Sequence, residues 1–400
     1  MAKLNYFYFL LIIFTIEACT TQEAHDDLQI TTNVESHYSE IIQKANSYFA
    51  QLSGNTRSSL PRIYSIEKVG QPYTRTSKDS ALNTPIYYIV NYENEEGFVM
   101  VGGNESAENM VAISDEGNLN LSDTINNPGL SYFIDGIISP GIPDTVQQLN
   151  PILFLDVNVP PLLNIKVRKW GEDKPFNYYT PVKDGKHTKV GCAAVAMGMI
   201  MSYYEWPNYY GLDWYDIIHN LSSKQLSQLL ASLGQPAALN MVYGIDQSYC
   251  NIDNYPNAFA FMAYEMQYAG QEISNFDFSS NERMKEQLPV IIWGKSENSY
   301  NEYGHTWVID GVLKTSEQST VNPERTINKY FMHCVWGNYG KANGYFKIRG
   351  FGVHDILGGE RDYKDVTDGV YGLTDESSVA LYKKLSRIYK VTPKKPFVEN

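Results

Sequence analysis

Apolar residues at Ile41, Ile42, Ala45, Tyr48, Phe49 and Leu52 recur at helical spacing, which predicts a helix over residues 39–52. The pattern then shortens to the strand type. Residues 86–90 and 98–101 are apolar runs separated by the polar stretch 91–97, a hairpin signature, and residues 110–114 form another short strand ahead of Asp115-Glu116-Gly117. Residues 130–138 read as a helix stopped by Pro140 and Gly141. Between residues 149 and 166, Pro151, Pro160 and Pro161 stand among extended apolar residues, and a residue before proline avoids the helical region, so the domain boundary is placed there. From Cys192 to Tyr204 the chain carries no charge and only small or flexible apolar and aromatic side chains, which describes a helix buried on nearly every side and closed by Trp206-Pro207. Residues 290–294 form a strand, a polar loop follows, and Gly304 opens a second strand through Gly311. Residues 377–388 resemble a helix, ahead of a basic tail from Lys390 to Lys395.

This mixture of helices and strands is of the α+β type, and a length of 400 residues allows two or three domains. With 43% hydrophobic and 19% charged residues, the chain is neither disordered nor collagen-like. A net charge of −13 argues against nucleic acid or an anionic membrane surface as the main partner. Four cysteines (Cys19, Cys192, Cys250 and Cys334) are too few and too scattered for a disulfide scaffold, and no CxxC or HExxH motif announces a zinc site. After Lys3, the apolar run 7–16 is too short to cross a bilayer but fits the core of an export signal. Ile16 and Ala18 precede Cys19 and a hydrophilic stretch follows it, so the segment resembles a lipoprotein signal in which Cys19 is lipidated and becomes the mature N-terminus. An ordinary signal peptide that happens to carry a cysteine is the alternative, and either implies export.

Cys192 falls at the first turn of its helix, where backbone N–H groups concentrate roughly half a positive charge and favour a thiolate. The plain alternative is a buried structural thiol. A cysteine nucleophile needs an imidazole, and the downstream half offers His187, His219, His305, His333 and His354. His305 stands out: it follows Gly304 at the mouth of a strand with core alternation behind it. His187 reads as an exposed loop residue, His219 as a surface helix residue and His333 as a residue packed in a sheet. Cys250 and Cys334 remain either a single pair or two free buried thiols.

Three quoted stretches together resemble the streptopain family of bacterial cysteine peptidases. They are Gly191-Cys192 leading into an Ala-rich helix that ends Tyr203-Tyr204-Glu205-Trp206-Pro207, then Gly304-His305-Thr306-Trp307-Val308-Ile309-Asp310-Gly311, then Trp336-Gly337 with Asn343-Gly344-Tyr345-Phe346. Upstream, Gly97-Phe98-Val99-Met100-Val101 and Ile113-Ser114-Asp115-Glu116-Gly117 resemble the inhibitory prodomain of that family. The resemblance implies a papain-like two-lobe fold, Cys192 as nucleophile, His305 as general base and Trp336 as part of the active-site wall. It also exposes two departures. Glu172 stands where the family carries an oxyanion-hole glutamine, and Val335 stands where it carries an asparagine. An ionised Glu172 offers no N–H donor, and loss of one oxyanion donor costs about 10²–10³ in turnover. Val335 cannot orient an imidazole, so another group must.

The expected organisation is a lipoprotein-type signal over residues 1–19, an inhibitory prodomain over 20–150 and a Pro-rich linker and processing region over 151–166. A papain-like domain over 167–375 and a C-terminal helix and tail over 376–400 complete it. The expected function is an exported cysteine endopeptidase made as a zymogen, acting on polypeptides without metal or cofactor and inhibited by its own prodomain. The alternative is a catalytically impaired relative that binds peptides or inhibits a peptidase as a surface lipoprotein.

Overall fold

The computed structural model describes residues 38–54, 60–70, 86–103, 107–138, 152–208, 211–270, 280–294, 304–318, 326–347 and 385–394. Helix α1 (Ser39–Ser53) buries Ala45, Tyr48 and Phe49 and leaves its polar side outward, as its spacing predicts. It packs on an antiparallel sheet of β1 (Ile63–Val69), β2 (Tyr87–Tyr92), β3 (Phe98–Gly102) and β4 (Met110–Ser114). The β2–β3 hairpin pairs Tyr87 with Gly102 and Asn91 with Phe98. Helix α2 (Pro128–Ile138) follows, its buried Leu130 and Phe133 joining the core on the other side of this sheet.

Strand β5 (Ile152–Val159) runs through the Pro-rich region. A small hairpin of β6 (Val182–Lys183) and β7 (Lys186–His187) precedes α3 (Cys192–Tyr204), so His187 belongs to a two-residue ladder rather than to an open loop. Helices α4 (Trp214–His219), α5 (Lys224–Leu233) and α6 (Tyr255–Phe261) surround α3. Ten of its residues, Ala193 to Ser202, are buried, which is why that stretch tolerates no charge. His219 is exposed at the end of α4.

Strand β8 (Tyr264–Gly270), helix α7 (Asn281–Gln287), and strands β9 (Val290–Gly294), β10 (His305–Gln318), β11 (Thr326–Val335), β12 (Gly344–Lys347) and β13 (Leu385–Pro393) complete the described chain. Together with β1–β4 these strands make one sheet in the order β1-β2-β3-β4-β12-β11-β10-β9-β13-β8. The N-terminal unit joins the C-terminal one at β4–β12, where Ile113 pairs with Tyr345 and Ala112 with Phe346. Along one side of β10, the half from His305 to Ile309 pairs with β9 and the half from Val312 to Glu317 pairs with β5. The linker beyond β5 is tied by Leu162 N–H to the Asp310 carbonyl at 3.0 Å and by Leu163 N–H to Asp310 Oδ2 at 3.0 Å.

One expectation fails here. The helix expected over residues 377–388 gives way at Leu385 to β13, whose ladder aligns Ile388 with Ile292 of β9 and Lys390 with Gln267 of β8. Residues 377–384 lie outside the described residues. A helix of that length is marginal alone, whereas a strand placed between two others satisfies its N–H and C=O groups on both sides. The C-terminal part of the sheet therefore extends past residue 375 to Pro393. Cys19 and the signal region 1–19 also lie outside the described residues.

Candidate active site

Gly191 sits immediately before α3 with φ 94°, a conformation that side chains disfavour, and a Cβ there would lie 2.8 Å from Met241 Cε. That close approach fixes the first turn of α3, and Cys192 is its first residue. Glu172 reaches the same place from a loop. Its carbonyl accepts Val190 N–H at 2.9 Å, two residues before Cys192, and the neighbouring Asp173 N–H donates to Tyr339 Oη at 2.6 Å. Tyr339 N–H in turn donates to the Trp170 carbonyl at 3.0 Å, so the loop is strapped from both sides.

His305 opens β10 and is 5% exposed. Its Nε2 lies 2.9 Å from the Trp336 carbonyl. A carbonyl only accepts, so Nε2 carries the proton and the lone pair of the neutral ring resides on Nδ1. This main-chain bond supplies the orientation that Val335 cannot; the Val335 side chain is buried in the core around α3 instead. Trp336 is fixed by Nε1–H to the Ala342 carbonyl at 2.8 Å and by its own N–H to Asn343 Oδ1 at 3.1 Å, and Asn343 reaches on to the Arg168 carbonyl. The indole of Trp307 lies near-parallel to the His305 ring at 6.2 Å and contacts Trp336 at 5.3 Å.

A carboxylate oxygen of Glu172, Cys192 Sγ and a ring nitrogen of His305 all lie within 4.8 Å of one another. The four residues Cys192, His305, Glu172 and Trp336 singled out in the sequence thus converge on one spot. Desolvation dominates its electrostatics. Burial pushes the Cys192 thiol up to about 12, with the Glu172 charge adding to the rise and hydrogen bonds from Thr306 opposing it. Burial draws His305 down to about 4 against the Trp336 carbonyl, and pushes Glu172 up to about 7 against the nearby Lys189. Both shifts favour the uncharged form of the pair, thiol and neutral imidazole.

Part of the burial of His305 comes from the other unit. A methyl group on Gly129, in the first turn of α2, would lie 2.7 Å from Trp336 Cζ3 and 3.1 Å from His305 Cδ2. Helix α2 therefore lies directly against the His305–Trp336 face. Sequence reasoning marked α2 but missed Gly129; the only local trace was a glycine following Asn127-Pro128 at a helix start, where none is needed for capping. A charged cluster bridges the units elsewhere: Glu108 contacts Lys347 and lies 3.5 Å from Lys329, which pairs with Glu317 at 2.8 Å. Cys250 and Cys334 are both free.

Comparison with known proteins adds the family. Residues 33–137 match the Spi protease inhibitor family, and residues 170–216 and 208–346 match the peptidase C10 family. Streptopain from Streptococcus pyogenes is 21% identical over 331 residues, covering 68% of this chain and 78% of streptopain. A thiol protease/hemagglutinin from Porphyromonas gingivalis is 23% identical over 184 residues, 42% of this chain but 20% of that protein. Among solved structures, a prointerpain A fragment from Prevotella intermedia aligns over 83% of this chain and 100% of its own, with 18% identity and a TM-score of 0.49. The chain is thus similar to the streptopain-like cysteine peptidases: its C-terminal part matches the peptidase C10 family, and a Spi-type inhibitor unit precedes that part.

Proposed function

We propose that the chain is an exported cysteine endopeptidase made as a zymogen, with Cys192 as nucleophile, His305 as acid–base partner and residues 38–138 as the built-in inhibitor. The observation that carries this reading is the meeting of Cys192 Sγ, the His305 ring and Glu172 within 4.8 Å, with α2 packed against His305. Displacement of α2 hydrates the pair and lets the Cys192 proton pass to His305 Nδ1. The thiolate attacks the scissile carbonyl, His305 returns the proton to the leaving amine, and water hydrolyses the thioester. The growing oxyanion takes the Cys192 backbone N–H and the Glu172 carboxyl. A carboxyl raised to about 7 is protonated in mildly acidic solution and can donate there as the family's amide does. No metal or organic cofactor enters these steps.

The β5–β10 ladder and the ties of Leu162 and Leu163 to Asp310 shield residues 152–163. Cutting of the 151–166 region therefore falls at its N-terminal margin, and β5 stays with the mature enzyme. Cys19 serves as the lipid anchor at the cell envelope. The test is hydrolysis of casein or peptides by processed protein: Cys192→Ala is expected to abolish it, and unchanged activity in that variant would overturn the reading. Sequencing of the mature N-terminus checks the cut. The second reading, a binding-only surface lipoprotein, is favoured by the carboxylate of Glu172 in the donor's place; robust labelling of Cys192 by an epoxide thiol inhibitor in the processed form counts against it.

A further inference from the structure

A side-chain amide is a poor metal ligand, but a carboxylate is a good one, and that exchange at residue 172 changes what the cleft can hold. Glu172, Cys192 and His305 supply one oxygen, one sulfur and one nitrogen donor from a loop, a helix start and a strand start, all within 4.8 Å. Zinc bonds of about 2.0–2.3 Å at tetrahedral angles separate donors by roughly 3.5 Å, so side-chain shifts of about 1 Å close the set. A second observation points to a ligand. His305 gives its Nε2–H to the Trp336 carbonyl at 2.9 Å, the outer-shell bond that fixes tautomer and ring orientation in metal-bound histidines and leaves Nδ1 open to the centre. Cys192 and Glu172 are each partly open to solvent.

We infer that Glu172, Cys192 and His305 form a zinc site, with a fourth position open to water, and that Zn²⁺ bound there silences the nucleophile. This goes beyond the peptidase reading: the ion is an inhibitor, not a participant in hydrolysis. Binding replaces the Cys192 S–H proton with a sulfur–zinc bond and releases that proton to solvent, with no change of oxidation state. Mixed oxygen, nitrogen and sulfur donors of this kind suit Zn²⁺ and Co²⁺ better than Mg²⁺ or Ca²⁺, which prefer oxygen alone.

The test uses the full chain, stripped with chelator and titrated with ZnCl₂ or CoCl₂ alone. One equivalent of Zn²⁺ is expected by calorimetry, and Co²⁺ is expected to show a thiolate-to-metal charge-transfer band. Cys192→Ser should remove that band. Glu172→Gln, close to isosteric, should weaken Zn²⁺ binding by more than about tenfold, since even outer-shell losses cost 10–100-fold. Thermal melts of the metal-free variants separate misfolding from ligand loss, and the Co²⁺ spectrum of the unaltered chain decides by itself if a variant misfolds. Failure to bind one equivalent, absence of the thiolate band, or an affinity unchanged in a folded Glu172→Gln protein would each overturn the inference. Binding is read without substrate. An inactive chain that holds zinc keeps this inference and loses the peptidase reading, and an active chain indifferent to zinc does the reverse.

Discussion

Gly129→Ala adds one methyl group at the contact between α2 and His305, the acid–base partner in the proposed mechanism. Its Cβ would sit 2.7 Å from Trp336 Cζ3, 3.0 Å from Cε3 and 3.1 Å from His305 Cδ2. Trp336 has little room to yield, because its indole is fully buried and its Nε1–H is bonded to the Ala342 carbonyl. Overpacking of this kind costs about 1–3 kcal/mol. Alanine also favours helix over glycine by about 0.5–1 kcal/mol, which works in the opposite direction. The net is about 0–2.5 kcal/mol of weakened docking, centred on about 1.2 kcal/mol or roughly 8-fold more of the open form, since about 1.4 kcal/mol is a factor of ten. Cys192 reports that population if, as proposed, departure of α2 further hydrates the Cys192–His305 pair and eases its ionisation. The assay is iodoacetamide alkylation of the intact chain, followed at the Cys192 peptide by mass spectrometry. Alkylation should accelerate by that factor, and Gly136→Ala on the exposed side of the same helix should give no acceleration. An unchanged or slower rate in Gly129→Ala would refute the reasoning, since helix propensity would then outweigh the contact.

Two more predictions concern charge. Glu172 has its carboxyl raised to about 7, so its donor form is present below that pH and lost above it. Departure of α2 hydrates the site and relaxes part of that rise, so the kcat/KM of the processed protein should fall as pH rises between the ordinary carboxyl range and about 7, and Glu172→Gln should flatten that fall; superimposable profiles would exclude the donor role. Glu108→Ala removes the partner of Lys347, which is 2% exposed, and one partner of Lys329. Breaking a buried pair in this way should destabilise the full chain by about 3 kcal/mol, visible as a lower denaturant midpoint, and an unchanged midpoint would show the cluster to be energetically idle.

Much of the site was legible because its parts obey local rules. The uncharged run behind Cys192 could only be a buried helix, and the glycine before His305 marked a strand mouth. What the sequence left open were relations between distant segments. The Trp336 main-chain carbonyl orients His305, and a main-chain atom leaves no trace in residue identity. The three donors gathered at Glu172, Cys192 and His305 are far apart in the chain, so a search for local metal motifs passes over them. Leu385–Pro393 misled for a similar reason: its own pattern is equivocal, and the ladders of β8 and β9 decide its conformation. Glu108, unremarkable in its loop, gains its meaning only from two lysines more than two hundred positions away.

The shared sheet sets a condition on the mature enzyme. While the inhibitor unit is in place, β4 covers one side of β12, and the hydrogen-bonding groups there are satisfied across the Ile113–Tyr345 and Ala112–Phe346 pairs. Once that unit departs, β12 becomes an outer strand with unpaired N–H and C=O groups, a template for sticking two copies together. Two features already present blunt the hazard. The strand is only four residues long, Gly344–Lys347, and it ends in a lysine whose charge has just lost Glu108. The Lys347 ammonium group, no longer facing Glu108, repels the same strand of a neighbouring molecule and draws water to the rim. The ion pair that joins the two units before cutting thus leaves behind, after cutting, a guard against self-association of the liberated peptidase.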